Sequence, residues 1–315
     1  MSLARIAAAT GGRITGADPA TPVGGIAFDP GEVRVGDLFI SLREEGRDGH
    51  GSLLCALEAG AAAVLTAHPV GAPAIVVGDP LLALGSWARA HVEELPDLDV
   101  IAITGSSGRT ATRDLLSRVL ESIGPTVATR GRCDDETGLP LTALEADAGT
   151  RYLVAGMSAR GPGHITYLTQ VTPPTAGVVL DVGTAREGGS GGPDPIAKAA
   201  VELVEALPSA RDGGVAVLNA DDPGAAALAD RTTARVVTFG TARGADVRAV
   251  DVAPDERGRA SFTLRTRAGD SAVCLQAAGG HQVVNALAAA AAAGAVGMDV
   301  LQVGEMLSTA VGEGE

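Results

Sequence analysis

Lysine is all but missing. The chain of 315 residues carries one, Lys198, among 24 basic residues. Against these stand 38 acidic residues and a formal net charge of −14, which argues against a surface built to neutralise nucleic-acid phosphates or anionic lipid. Aromatics are almost as scarce, with one Trp, two Tyr and four Phe. The core must therefore be built from Ala, Val and Leu, and platforms for stacking bases or sugars are nearly excluded. A nucleotide, if bound, would be held by its phosphates. Cys55, Cys133 and Cys274 are odd in number, far apart and in no C-x-x-C spacing, which excludes a disulfide framework and a zinc site. The first residues lack the charged start and apolar stretch of a leader, and no unbroken apolar run reaches the roughly 18 residues of a membrane span. The chain reads as cytoplasmic, with neither nucleic acid nor membrane as a partner. What is plentiful is Gly, at 43 residues, and a hydrophobic share of 46%, which fits a globular protein whose length predicts two domains.

The pattern along the chain is α/β. Residues 1–98 alternate short apolar runs, at 37–41 and 74–77, with an Ala-rich helical stretch near 53–63, and predict a small α/β domain. A break at Pro96-Asp97-Leu98 precedes the second domain, 99–315. It opens with an apolar strand over 100–103, the turn Thr104-Gly105-Ser106-Ser107-Gly108-Arg109-Thr110, and an amphipathic helix over 111–123. Further apolar runs at 152–155, 177–180, 215–218 and 235–239 predict a mostly parallel sheet covered on both faces. Residues 246–277 alternate as an antiparallel extension would, and 282–293 and 300–308 read as closing helices before a frayed end at 312–315.

A Gly-rich turn between strand and helix can cradle phosphate with backbone N–H groups, aided by the partial positive charge of the helix N-terminus. In the usual G-x-x-x-x-G-K-[ST] loop a Lys reaches the outer phosphates and a hydroxyl ligates magnesium. Here Gly105, Ser106, Ser107 and Gly108 form a shorter loop, Arg109 stands in place of the Lys, and Thr110 supplies the hydroxyl. The same residues also suit an ordinary Gly-rich turn. Arg109 is bulkier than an ammonium and not interchangeable with it at a tight site. It fits either drift in a lysine-poor chain or a disabled loop.

Beyond the loop, ordered blocks cover nearly the whole chain. In the first domain they are Val33-Arg34-Val35-Gly36-Asp37-Leu38-Phe39, Asp48-Gly49-His50 and Gly60-Ala61-Ala62-Ala63-Val64. The second carries Ile103-Thr104-Gly105-Ser106, Glu136-Thr137-Gly138-Leu139-Pro140, Ala159-Arg160-Gly161-Pro162-Gly163-His164-Ile165, Leu218-Asn219-Ala220-Asp221-Asp222-Pro223, Thr238-Phe239-Gly240 and Gly280-His281-Gln282-Val283-Val284-Asn285-Ala286. In these blocks the chain resembles the Mur ligase family, and within it the branch that joins D-alanyl-D-alanine to a UDP-muramoyl tripeptide. The resemblance implies a UDP-sugar-binding-like domain over 1–98, an ATP-binding central domain of P-loop type over 99–315, and peptidoglycan-precursor chemistry. Such enzymes phosphorylate a carboxylate with ATP, and an amine then attacks the acyl phosphate, with magnesium and a cation neutralising the charge.

Carried over residue by residue, the resemblance implies that much of this machinery is substituted. The loop Lys is Arg109, and the metal-binding Glu falls at Gly156 in Gly156-Met157-Ser158. The family's Asn-Val-Gly-x-Ala-His reads Asp181-Val182-Gly183-Thr184-Ala185-Arg186, so the metal-binding His is Arg186, which cannot ligate a cation. The carbamylated Lys falls at Ala200, and Lys198, two residues away, lies about 200° round a helix from it. The Asn-rich segment reads Arg132-Cys133-Asp134-Asp135, and the uridine-contacting Asp-Ser-Arg reads Asp29-Pro30-Gly31. The family's third domain, which brings the amine, would begin where this chain stops. Asn219, His281 and Asn285 match positions around the adenine, and also suit a strand-end turn, a helix-cap neighbour and a helix-face amide. Arg160 and His164 resemble residues of the central cleft, in a loop whose glycines also serve the backbone. Asp134, Asp135 and Glu136 suit a cation site or a solvated loop, and Asp29 and Asp37 suit turns.

Two functions follow. In the favoured one the chain is a degenerate, catalytically inactive Mur-ligase-like protein with a nucleotide-binding, scaffold or regulatory role, ATP as its ligand, little use for magnesium beyond Thr110, and a protein partner such as an active ligase. In the other it is an active ATP-dependent acid–amine ligase with rewired metal ligands, completed by a partner chain.

Overall fold

Short apolar runs, several of them ended by Gly or Asp, become the strands of two separate sheets. The computed structural model describes residues 1–42, 49–131, 133–183 and 195–310. The chain divides into two units, Met1–Glu94 and Leu95–Glu315.

The first unit runs α1 (Leu3–Thr10), β1 (Arg13–Thr15), β2 (Ile26–Ala27), β3 (Leu38–Ile40), α2 (Gly49–Glu58), β4 (Ala63–Thr66), β5 (Ala74–Val76) and α3 (Pro80–Glu93). Its sheet has the order β1-β5-β4-β3-β2, parallel except for β1. The Ala-rich stretch at 53–63 is not one helix. Gly60 takes φ 105°, and the Gly60 and Ala61 N–H groups turn back to the Leu57 and Ala56 carbonyls, the closure that ends α2 and frees Ala63 to open β4. Helix α3 starts where Asp79 accepts from the Leu81 and Leu82 N–H groups (2.8 and 3.1 Å), with Pro80 in the first helical position. Asp29 and Asp37 likewise serve turns, accepting from the Gly31 N–H (2.8 Å) and the Arg34 N–H (2.9 Å). The block Asp48-Gly49-His50 lies partly outside the described residues.

The second unit opens with β6 (Asp99–Thr104), α4 (Arg109–Glu121), β7 (Thr126–Ala128), α5 (Gly138–Glu145), β8 (Tyr152–Gly156), α6 (His164–Val171) and β9 (Ala176–Val179). It continues through α7 (Pro195–Ala206), β10 (Val215–Asn219), α8 (Pro223–Ala226), β11 (Arg235–Gly240), β12 (Val247–Pro254), β13 (Arg259–Thr266), β14 (Gly269–Ala278), α9 (His281–Ala295) and α10 (Val300–Thr309). The nine strands form one sheet in the order β14-β13-β12-β11-β10-β9-β6-β8-β7. Strands β7 to β12 are parallel, and β13 and β14 add the antiparallel extension. Strands β8, β9 and β10 are buried along their whole length, as parallel strands must be when helices cover both faces. Helix α9 buries Asn285 to Ala293 without interruption. Its run of methyl side chains lets it lie close against α4 and the sheet, where larger residues would be overpacked.

The topology fixes where a ligand can sit. From β6 the chain runs out to the β7 edge and back through β8, then crosses to β9 on the other side of β6. Connections leaving neighbouring strands on opposite sides open a crevice at the carboxyl end of β6, the usual binding position in such sheets. Among the described residues no helix is long and apolar enough to cross a membrane.

Candidate functional site around the Gly-rich loop

The crevice is built from the ends of four strands. The loop from Gly105 to Gly108 leaves β6, Gly156 ends β8, Leu180 and Asp181 follow β9, and Asn219 ends β10. Gly108 must be glycine: its φ is 76°, and a Cβ there would lie 2.4 Å from Asn285 Oδ1. Asn285 is buried and pinned, donating from Nδ2 to Gln282 Oε1 (3.1 Å) and accepting at Oδ1 from the Thr112 hydroxyl (3.4 Å). A cavity of about 760 Å³ lies along the outer side of the loop, lined by Ser106 to Leu115, β14, His281, Gln282 and Asn285. The structure therefore brings the loop, Thr110, His281 and Asn285 to one cavity. Asn219 is elsewhere, buried beneath the crevice, donating to the Leu180 carbonyl (2.7 Å) and accepting from the Asp221 N–H (2.9 Å). One end of its amide ties β10 to the segment after β9, and the other closes the turn that follows β10.

Arg109 turns inward. Its guanidinium donates to the Gly105 carbonyl, to Asp134 Oδ2 (3.2 Å) and to Ser158 Oγ (3.3 Å). The planar fork leaves Nε buried with no hydrogen-bond partner among the described residues, a cost that a lysine would not incur. Gly156 is buried beside this pair. A Cβ there would lie 3.2 Å from Thr129 Oγ1 and 3.4 Å from Asp134 Cβ, so the space a longer side chain would use is bordered by a carboxylate already neutralised by arginine. Ala200 is wholly buried in α7, and Lys198, on the same helix, is half-buried. Arg132 and Arg186 lie outside the described residues.

The acidic run 134–136 pairs with basic side chains. Arg160 bridges Asp135 (2.5 Å) and Glu136 (2.6 Å). His164 Nδ1 accepts from the Arg160 N–H (3.0 Å), which puts the ring proton on Nε2, 3.0 Å from Glu136 Oε2. With Asp134 held by Arg109, each of the three carboxylates faces a basic side chain. Glu202, two residues past Ala200, accepts from the Gly163 and Thr166 N–H groups (2.6 and 2.9 Å) and caps α6.

Among the described residues the donor set does not fit a magnesium ion: Gly156 and Ala200 offer no side-chain ligand atom, Asp134 faces a guanidinium, and no group of three or more His, Cys, Asp or Glu could hold a metal.

Asp181, which opens the segment 181–186 and is given no role by the sequence, is a further residue of the site. Asp181 reaches into the loop: the Ser106 N–H donates to Oδ1 (2.9 Å), the Ser107 N–H to Oδ2 (3.4 Å) and the Ser107 hydroxyl to Oδ2 (3.3 Å). The Gly183 N–H adds a bond to Oδ1 (3.2 Å). An acid at a strand end beside a Gly-rich loop is the available signal, but the pairing spans 75 residues and depends on β9 neighbouring β6.

Comparison with known proteins supplies the family. Residues 103–293 match the model of the Mur ligase middle domain. The chain belongs to the Mur ligase family. It is 40% identical to a UDP-N-acetylmuramoyl-tripeptide–D-alanyl-D-alanine ligase of Mycobacterium tuberculosis, over 98% of this chain and 66% of that protein. With the enzyme of the same name from Escherichia coli it shares 30% identity, over 96% of this chain and 67% of the other. Among solved structures, MurF from Acinetobacter baumannii superposes with a TM-score of 0.91 at 31% identity, covering 99% of this chain and 68% of that one. MurF of Thermotoga maritima in complex with ADP gives 0.79 at 27% identity, over 92% of this chain and 66% of that one. This Mur ligase homologue thus spans about 66% of the length of the curated relatives it matches.

Proposed function

We propose that this member of the Mur ligase family keeps the scaffold of the central domain without its catalysis, and serves as a weak nucleotide-binding or regulatory partner protein. In this reading 1–98 is the UDP-sugar-binding-like domain and 99–315 the ATP-binding-like domain. The nucleotide lies along the loop 105–108, with Thr110, His281 and Asn285 beside it and Asn219 supporting the strand ends. The observation that carries the reading is the Arg109–Asp134 pair beside Gly156. Acyl phosphate formation requires a cation free to meet the transferring oxygens and a metal bridging them. Here the loop cation is spent on a carboxylate, and the neighbouring metal-binding position has no side chain. The shared ligase name of the relatives favours the rival reading, an active acid–amine ligase.

The two readings separate in a calorimetric titration of the full chain with ATP, with and without magnesium. The proposed reading expects affinities within about threefold of each other, because Thr110 alone adds little to the ion's coordination. Tightening by two orders of magnitude with magnesium would establish a rewired metal site and favour the ligase.

A further inference from the structure

We propose that Asp181 sets the phosphate affinity of the Gly-rich loop by acting as a built-in anion that occupies the loop's own donors. The inference rests on the nucleotide-scaffold reading above and deepens it. A loop of this kind binds phosphate through N–H groups at the start of a helix, and each N–H has one proton to give. The Ser106 and Ser107 amides and the Ser107 hydroxyl give theirs to the Asp181 carboxylate. The loop's cation is committed too, since Arg109 is held by the Gly105 carbonyl, Asp134 and Ser158. An incoming polyphosphate must displace one carboxylate while approaching it as a like charge, and the Arg109 guanidinium that would offset the repulsion is already engaged.

The family pattern quoted for this segment has Asn in place of Asp181. An amide at this point can accept from the Ser106 N–H through its oxygen and still turn its NH₂ group to a phosphate, whereas an ionised carboxylate only accepts. A change of one atom thus converts a loop that receives anions into one that supplies its own. Asp181 is held by the Gly183 N–H as well, so it is positioned by its own turn before the loop meets it.

The test compares the full-length wild-type chain with Asp181→Asn by calorimetry, using ATP, inorganic tripolyphosphate and adenosine as separate probes. The expected result is that Asp181→Asn tightens ATP and tripolyphosphate by the same factor, about tenfold or more, the scale of one charge-assisted hydrogen-bond set, and leaves adenosine unchanged. Asp181→Ala, which removes the carboxylate outright, repeats the comparison should the Asn variant melt early. Unchanged tripolyphosphate affinity in a folded variant overturns the proposal, as does tightening of adenosine to the same degree. Phosphate release followed in the same samples keeps the two readings apart. Turnover by wild type contradicts the inactive scaffold, whereas unaltered affinity without turnover contradicts the role of Asp181 alone.

Discussion

Given ATP, magnesium, a UDP-muramoyl tripeptide and D-alanyl-D-alanine, the chain is expected to release phosphate at least about a thousandfold more slowly than an active ligase of the family. Removing one preorganised charge partner costs about a hundredfold to a thousandfold, and partners that act together fail together. Two features of the crevice bear on this directly. Arg109 is held by the Gly105 carbonyl, Asp134 and Ser158, and Gly156 brings no side chain, its N–H donating to Thr129 Oγ1 at 3.0 Å. Arg109→Lys alone therefore raises turnover by less than about tenfold, since Gly156 and Ala200 remain without donors. Substitution of all four positions, with Gly156→Glu, Arg186→His and Ala200→Lys added, restores a dependence on magnesium before it restores turnover. A coupled phosphate assay checks each step. Wild-type turnover that rises with the carboxylate substrate would show the crevice to be catalytic as it stands.

The second large effect concerns the sheet that holds the crevice in shape. Phe239 is one of the chain's few aromatics and is wholly buried, in register with Asn219 on β10 and Val247 on β12. It shares a core with Val217, Leu264, Val283 and Leu287. The neighbouring side chains of this close-packed core relax only partly into the space a ring vacates, so Phe239→Ala leaves a cavity. The expected cost is about 3–5 kcal/mol, near the upper end for core truncations. Leu301→Ala, at a position 63% exposed on α10, is the control and stays within about 0.5 kcal/mol. Urea unfolding followed by circular dichroism measures both. A loss below about 1 kcal/mol for Phe239→Ala would mean that this core is looser than its burial indicates.

Much of the architecture is legible in the amino-acid order, for identifiable reasons. Unbroken apolar runs such as Val100-Ile101-Ala102-Ile103 become central parallel strands because both faces must be dry, and the alternation over 246–277 becomes β12 to β14 because one face is wet. The helix proposed over 53–63 fails at its end, since Gly60 in a left-handed conformation stops α2 at Glu58. Sequence periodicity cannot show that switch when Ala suits both helix and strand. The site divides the same way. Strand, Gly-rich turn and helix are readable as a unit because they are adjacent, and Gly108 is required by its φ and by Asn285. Where Arg109 points is not readable, for it depends on Asp134 and Ser158 arriving from two other connections. Asp181 is the clearest instance, since its bond to the loop exists only because β9 crosses over to lie beside β6. The acidic run 134–136 looks like a solvated loop or a cation site in isolation, and becomes a set of ion pairs once Arg109, Arg160 and His164 are placed.

On the proposed reading the crevice does not transfer the phosphoryl group. Positional isotope exchange in ATP tests the first half of the reaction without any amine. Heavy oxygen placed in the β–γ bridge moves to a non-bridging β position if the γ-phosphoryl group leaves for a carboxylate and returns. With the UDP-muramoyl tripeptide and magnesium present, no movement of label above the enzyme-free control is expected. Scrambling that requires the tripeptide would contradict the account, because it would show acyl phosphate forming at a loop whose arginine and metal-binding positions are held to be disabled.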